Sequence, residues 1–220
     1  MQADRDWRPS APLAALQLRA TLLARIRAYF ARNKVMEVDT PALSVAATTD
    51  PAIHSLATTW HGPGSGGARR CYLHTSPEFP MKRLLAAGSG DNYQFCKVFR
   101  DDERGALHSP EFSLLEWYRT GFDHFDLMDE VEQLLTEILA DIAPVREVHH
   151  WTYRDLFVEF AGIDPFTVSG TDIAAELQRY RVGVPVGMDS APLDAWLDLV
   201  LTHVIEPRMG QGLVFVRDFP

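Results

Sequence analysis

The sequence predicts an α+β fold, and three observations carry that prediction. Helical and extended stretches are mixed without the regular strand–helix–strand rhythm of a parallel sheet. Two strand-like stretches, 93–100 and 111–118, flank a charged loop and read as one long antiparallel hairpin. Strongly amphipathic helical patterns precede and follow that hairpin.

The elements follow in order. Residues 1–12 are an irregular lead-in with two prolines. From 13 to 32 the pattern is helical. Leu16, Leu23 and Phe30 recur at seven-residue steps, with Leu22, Ile26 and Tyr29 on the same broad face, and the helix should fade near Asn33. Residues 35–41 form a short extended piece that stops at Pro41. Residues 42–60 are mixed, and 61–67 form a glycine-rich turn or flexible loop. A strand is expected at 70–74. Pro77 then fits the first turn of a helix running to about Ala87, closed by Gly88 and Gly90. After the hairpin, Leu127, Val131, Leu134, Leu135, Ile138 and Ile142 mark an amphipathic helix. Helices are expected again at 152–161, 171–180 and 191–205, the last with Ser190 as N-cap and Pro192 in its first turn. Residues 213–216 read as a strand. No internal repeat and no linker interrupts the 220 residues, so one domain is expected.

Composition narrows the classes. Hydrophobic residues make up 46% and charged residues 23%, which excludes disordered, collagen-like and coiled-coil chains. No apolar run approaches the roughly 20 residues needed to cross a bilayer, and the first residues lack a secretory apolar stretch. A cytoplasmic protein without membrane contact is expected. The net charge of −9 argues against a life on duplex DNA. Cys71 and Cys96 lie 25 apart in apolar, strand-like surroundings and read as buried thiols. None of the eight histidines has metal-binding spacing, so no metal site is assigned to them.

Two constellations can carry chemistry. Strand alternation places Cys96, Val98 and Arg100 on one face, and Phe112, Leu114, Glu116 and Tyr118 share a face on the returning strand. An arginine, a carboxylate and a phenol among apolar neighbours suit a binding site. A structural Arg100–Glu116 ion pair is the alternative, and it stays open. The second constellation is Ser76, Pro77 and Glu78. Ser76 can cap the coming helix and Glu78 can complement its dipole, or Glu78 can face a cationic ligand. Lys82 and Arg83 are solvated charges or part of an anion patch with Lys97, Arg100 and Arg104. His108 stands out among the histidines because it lies in the charged hairpin loop.

These residues resemble a known family. The run from Phe99 to Tyr118 resembles motif 2 of the class II aminoacyl-tRNA synthetases, in the lysyl type. Glu37 to Pro41, after the first helix, resembles motif 1. Thr75 to Glu78 with Met81 to Leu84 resembles the family's amino-acid-binding helix. Three motifs in order make the likeness specific, and it runs from about residue 13 to 220. Within the family the chain is most similar to the short paralogues of lysyl-tRNA synthetase that ligate (R)-β-lysine to elongation factor P. Few residues precede the first helix, leaving no room for the OB-fold anticodon-binding domain. Ser76 stands where lysyl-tRNA synthetases generally carry alanine. Residues 115–119 and the acidic balance point the same way.

The resemblance implies a class II antiparallel sheet flanked by helices, and ATP-dependent activation of lysine or (R)-β-lysine to an aminoacyl-adenylate. The acyl group would pass to a lysine of elongation factor P, with tRNA the less favoured acceptor. Arg100 would be the catalytic residue, touching the α-phosphate and the substrate carboxylate. The ATP site would take Arg100, Asp101, Asp102, Glu103, His108 and Ser109. Ser76, Pro77, Glu78, Glu116 and Tyr118 would bind the amino acid, Glu78 on an amino group and Glu116 with Tyr118 on the side-chain ammonium. Pro41 would lie in a homodimer interface, and Mg²⁺ would accompany ATP.

The chain departs from the family where Asp101-Asp102 replaces Asn-Glu and where Ser109 replaces the usual asparagine. Its resemblance covers the front two-thirds of the family domain. The expectation is therefore a catalytic domain over 1–220 that is shortened at its C-terminal end and lacks motif 3, with the usual Mg²⁺ ligands beyond Pro220. Two other functions stay open: lysine–tRNA ligation, and a non-catalytic partner- or nucleotide-binding role.

Overall fold

A computed structural model describes residues 9–63, 66–101, 105 and 108–220. The chain divides into two compact units, Met1–Leu127 and Met128–Pro220.

In the first unit, α1 spans Leu13–Arg32, as the periodicity predicts. It starts after the extended Pro12. It ends where Lys34 takes a left-handed φ of 58° and the Val35 N–H reaches back to the Phe30 carbonyl at 2.9 Å. Only the C-terminal half of the expected apolar face is buried. Tyr29 and Phe30 are in the core, whereas Leu13, Leu16 and Leu18 are exposed.

Phe30 explains why the helix sits where it does. Its ring stacks on Tyr93 at 4.4 Å between centroids and leans on Trp117 at 5.6 Å. Those aromatics come from β5 (Asn92–Phe99) and β6 (Glu111–Tyr118), which pair antiparallel over eight residues each. A short β1 (Met36–Glu37) joins β5 in parallel. Register then sorts the hairpin's side chains. Tyr93 opposes Trp117 and Phe95 opposes Leu115 on the face that α1 covers. Gln94 opposes Glu116, Cys96 opposes Leu114 and Val98 opposes Phe112 on the other face, as alternation predicts.

A second sheet of β2 (Leu43–Ser44), β3 (Ala57–Trp60) and β4 (Arg69–Leu73) is antiparallel, in the order β2-β4-β3. The helix α2 (Glu78–Ala86) follows β4, anchored by the fully buried Met81. Two hydrogen bonds tie the end of β4 to the end of β5, and a third ties the chain after β5 to the segment before β3. The Phe99 N–H donates to the His74 carbonyl at 2.9 Å, and His74 Nε2 donates to the Lys97 carbonyl at 2.7 Å. The Asp101 N–H donates to the His54 carbonyl at 2.8 Å. Arg100 is thereby delivered beside Thr75.

The helix α3 (His124–Leu139) crosses the boundary between the units in sequence. The second unit pairs β7 (Val148–Thr152) with β8 (Leu213–Arg217) in parallel. Between them run α4 (Tyr153–Ala161), α5 (Gly170–Arg179) and α6 (Leu193–Val200). Their core includes Leu156, Phe157, Ile173, Leu177, Trp196 and Val204. Thr152 Oγ1 accepts the Asp155 N–H at 3.0 Å to cap α4, and Ser169 forms a capping box with Asp172 at α5.

Three expectations are corrected and one element is added. The sheets are not all antiparallel, because β1 joins β5 in parallel and β8 returns beside β7 through three crossover helices. The strand β7, which holds His149 and the exposed His150 stacked on Phe215 at 5.0 Å, is an addition to the expected elements, because the polar pair hides it from pattern reading. Ser190 does not cap α6, since Pro192 holds φ −63° and ψ 159° and the helix starts at Leu193. Beyond Val200 that helix continues as a wider turn, Leu201–Ile205. Finally, Cys71 is buried but Cys96 is only partly so. No helix among the described residues is long and apolar enough to cross a membrane.

Candidate active site

A cavity of about 770 Å³ opens in the first unit beside the β4–α2 connection. One wall is His74, Thr75, Ser76, Glu78, Phe79 and Arg83, with Arg100 behind them. The other wall runs from Pro41 through Ala46, Ala47, Thr48 and Asp50 to Ser55. This second wall is absent from the sequence-based site. The cue in the sequence is the run of small residues at 46–49, which lets the chain lie close to a cavity without filling it.

Arg100 is held from three directions. Its N–H donates to the Pro110 carbonyl at 3.0 Å, its Nε to the Thr75 carbonyl at 3.4 Å, and its guanidinium lies 5.0 Å from the centre of the Phe112 ring. A planar guanidinium has the fork geometry that matches a bidentate anion, and the Nε contact orients its plane.

Ser76 makes two hydrogen bonds, one to the start of α2 and one to β6. Its Oγ accepts the Glu78 N–H at 3.0 Å, satisfying a donor at the start of α2, although the N-cap position itself is Pro77 and Ser76 is not the cap expected. The same oxygen donates its proton to Glu116 Oε2 at 2.6 Å. Pro77, buried, flanks the helix just before Glu78. Tyr118 donates to the other carboxylate oxygen, Glu116 Oε1, at 2.5 Å. One hydroxyl on each oxygen fixes the carboxylate plane. Burial, the bond to Glu116, and the charges of Glu116 and Glu78 together push the Tyr118 phenol well above its ordinary range, so it remains a donor. Burial pushes the Cys96 thiol up to about 11, where it is unreactive at neutral pH.

Glu78 is ion-paired with Lys82 one turn along α2, at 2.5 Å. The same ammonium lies 5.8 Å from the centre of the Tyr118 ring. Beneath this group, Thr40 Oγ1 donates to Gln94 Oε1 at 2.8 Å, both side chains buried. The sequence reading did not single out either.

The remaining candidates are less concentrated. Asp101 is exposed and tied through its backbone to His54. His108 and Ser109 lie in exposed chain before β6 and do not line the cavity. Asp102, Glu103 and Arg104 lie outside the described residues. Pro41 is exposed at the cavity rim. Among the described residues, no group of three or more His, Cys, Asp and Glu could hold a metal ion.

Comparison with known proteins adds the following. The family model for class II tRNA synthetases (D, K and N) matches residues 5–220. The chain is 43% identical over 216 residues to the elongation factor P–(R)-β-lysine ligase of Vibrio parahaemolyticus, covering 98% of this chain and 65% of that protein. It is 43% identical over 215 residues to the ligase of the same name from Pseudoalteromonas translucida, covering 97% and 65%. With the one from Sodalis glossinidius it is 39% identical over 222 residues, covering 100% and 66%. The chain thus spans about 65% of the length of curated relatives that it matches.

Proposed function

Because the chain belongs to the class II tRNA synthetase family of the D, K and N type, we propose that it serves as an ATP-dependent ligase for lysine or (R)-β-lysine, acting on elongation factor P. The observation that carries this reading is the join of Ser76, Glu116 and Tyr118 beside Arg100 and Glu78. Two carboxylates and one guanidinium suit a substrate with two amino groups and one carboxylate.

The chemistry is an acyl transfer in two steps. The substrate carboxylate attacks the α-phosphorus of ATP. An oxygen–phosphorus bond forms, the bond to the bridging oxygen breaks, and pyrophosphate leaves. Two anions must approach, and the pinned Arg100 guanidinium contacts both and stabilises the added charge of the transition state. Glu116, held by two hydroxyls, receives the side-chain ammonium, and Glu78 receives the other amino group. An uncharged analogue leaves those carboxylates unpaired and is rejected. The ε-amine of an acceptor lysine then attacks the acyl carbon, an amide forms, AMP departs and the amine loses a proton to solvent.

Family chemistry brings Mg²⁺ with ATP. The described residues assemble no carboxylate set for it, so no step is assigned to the ion. His108, Ser109 and Asp101 remain proposed ATP contacts from the loop side, with Asp102 and Glu103. A homodimer is proposed through α1 and Pro41, supported by the exposed Leu13, Leu16 and Leu18. A cytoplasmic location and a single catalytic domain are part of the same reading.

The test is amino-acid-dependent ATP–pyrophosphate exchange by the 220-residue chain, with α-lysine and (R)-β-lysine side by side. Exchange that favours (R)-β-lysine supports the ligase. Exchange that favours α-lysine moves the reading to a lysine–tRNA ligase. A folded chain that exchanges with neither overturns adenylate formation by this chain.

A further inference from the structure

Glu78, which lines the cavity, is paired with a lysine of the protein's own. Lys82 Nζ is 2.5 Å from Glu78 Oε1 and 5.8 Å from the centre of the Tyr118 ring, whose hydroxyl is bonded to Glu116. An alkylammonium therefore already stands among the three groups assigned to a substrate's amino groups. We infer that Lys82 is a resident counter-ion of this site, and that a substrate amino group must displace it from Glu78 to bind. The inference rests on the proposal that Glu78 receives a substrate amino group.

The geometry permits such a displacement. Lys82 and Glu78 keep about half of their side-chain surface exposed, at 54% and 46%, so the pair is held loosely and a ligand can reach it. They are four residues apart on α2, so the lysine can swing to solvent without moving the helix. With Lys82 in place, Glu78 is neutralised, and an incoming ammonium gains only the difference between itself and the resident one. Until Lys82 leaves, two like charges also compete for one carboxylate. The site is binding-competent for only part of the time, and the apparent affinity falls by that fraction.

The same geometry would serve a merely structural helix pair, and the two differ in sign. If Lys82 competes, removing its charge tightens substrate binding. If it only orients Glu78, removing it weakens binding or leaves it unchanged. The experiment is calorimetric titration of the wild-type chain, Lys82→Met and Lys82→Arg with lysine and with hexanoate, which has the same chain length and no amino group. Circular dichroism confirms that each variant is folded.

The expected result is lysine binding tightened about three- to tenfold in Lys82→Met and close to wild type in Lys82→Arg, with hexanoate unmoved. Unchanged or weaker lysine binding in Lys82→Met overturns the inference, and leaves the substrate reading standing if the wild type prefers lysine to hexanoate. Equal tightening for hexanoate also overturns it, because the gain would then not involve an amino group. A wild-type chain that binds lysine no better than hexanoate overturns the substrate reading itself, and this inference with it.

Discussion

Ser76 Oγ lies 2.6 Å from Glu116 Oε2, joining the start of α2 to the middle of β6 across 40 residues of sequence. The same hydroxyl accepts the Glu78 N–H at 3.0 Å. One side chain therefore sets both the carboxylate of the sheet and the first turn of the helix that carries the other carboxylate.

Ser76→Ala tests that coupling. The variant leaves the Glu78 N–H without its acceptor and Glu116 with one hydroxyl fewer. Stability is expected to fall by about 0.5–2 kcal/mol, the usual worth of such a contact. Lysine affinity is expected to fall by roughly tenfold as Glu116 loses its fixed orientation. Denaturant melts and calorimetric titration read the two effects separately. A stability loss without an affinity loss would leave Ser76 a support for the start of α2 alone.

Arg100→Ala separates chemistry from scaffold. The backbone ties of Arg100 to Pro110, and of its neighbours Phe99 and Asp101 to His74 and His54, survive the substitution. The chain should fold, with a loss of about 1 kcal/mol from the Phe112 contact. Pyrophosphate exchange should be abolished. Loss of folding with undiminished activity per folded molecule would make Arg100 structural.

Much of this site was legible in the sequence because it depends on local periodicity. Alternation along 93–100 and 111–118 put Glu116 and Tyr118 on the face that the β5–β6 register gives them. Helix periodicity gave α1 its bounds. What escaped depends on contacts between distant segments. In Ala46 to Asp50 only the run of small residues hints at a cavity wall, and nothing local says that Glu78 lines the same cavity. Nothing near Thr40 announces a buried bond to Gln94, 54 residues away. The strand β7 escaped for the same reason, since its partner β8 comes more than 60 residues later. Prolines misled where two adjacent constraints compete, as Ser190 and Pro192 do for the start of α6.

Tyr93 gives the first unit a dependence on alkaline pH. Burial, together with its hydrogen bond to Glu37 at 2.9 Å, pushes the phenol up to about 12. The folded state then holds the proton more tightly than the unfolded chain, whose tyrosines titrate near 10. The associated stability is fully present below about pH 10 and is lost as pH rises toward 12. The urea midpoint should therefore fall between pH 9 and pH 11 (values chosen to bracket that onset). Tyr93→Phe should flatten that fall in part, since Tyr118 and Tyr153 are also raised. An unchanged slope in Tyr93→Phe would show that the phenol is already solvated in the folded chain.

The buried pair of Thr40 and Gln94 makes the last prediction, and its sign depends on an asymmetry. Thr40 Oγ1 donates to Gln94 Oε1 at 2.8 Å, while Gln94 Nε2 is buried without a hydrogen-bond partner. Thr40→Val removes the hydrogen bond to that oxygen and leaves a second buried polar atom unsatisfied. The expected cost is about 1–3 kcal/mol. Gln94→Met on its own removes both the orphaned amide nitrogen and the acceptor, keeps the volume, and should cost less. The double variant should then be more stable than Thr40→Val alone, because no amide remains to be stranded. Guanidinium melts of the four proteins close the cycle. Simple additivity of the two single losses would mean that water enters beside Gln94 when Thr40 is lost, and that the pair is not sealed by the packing around it.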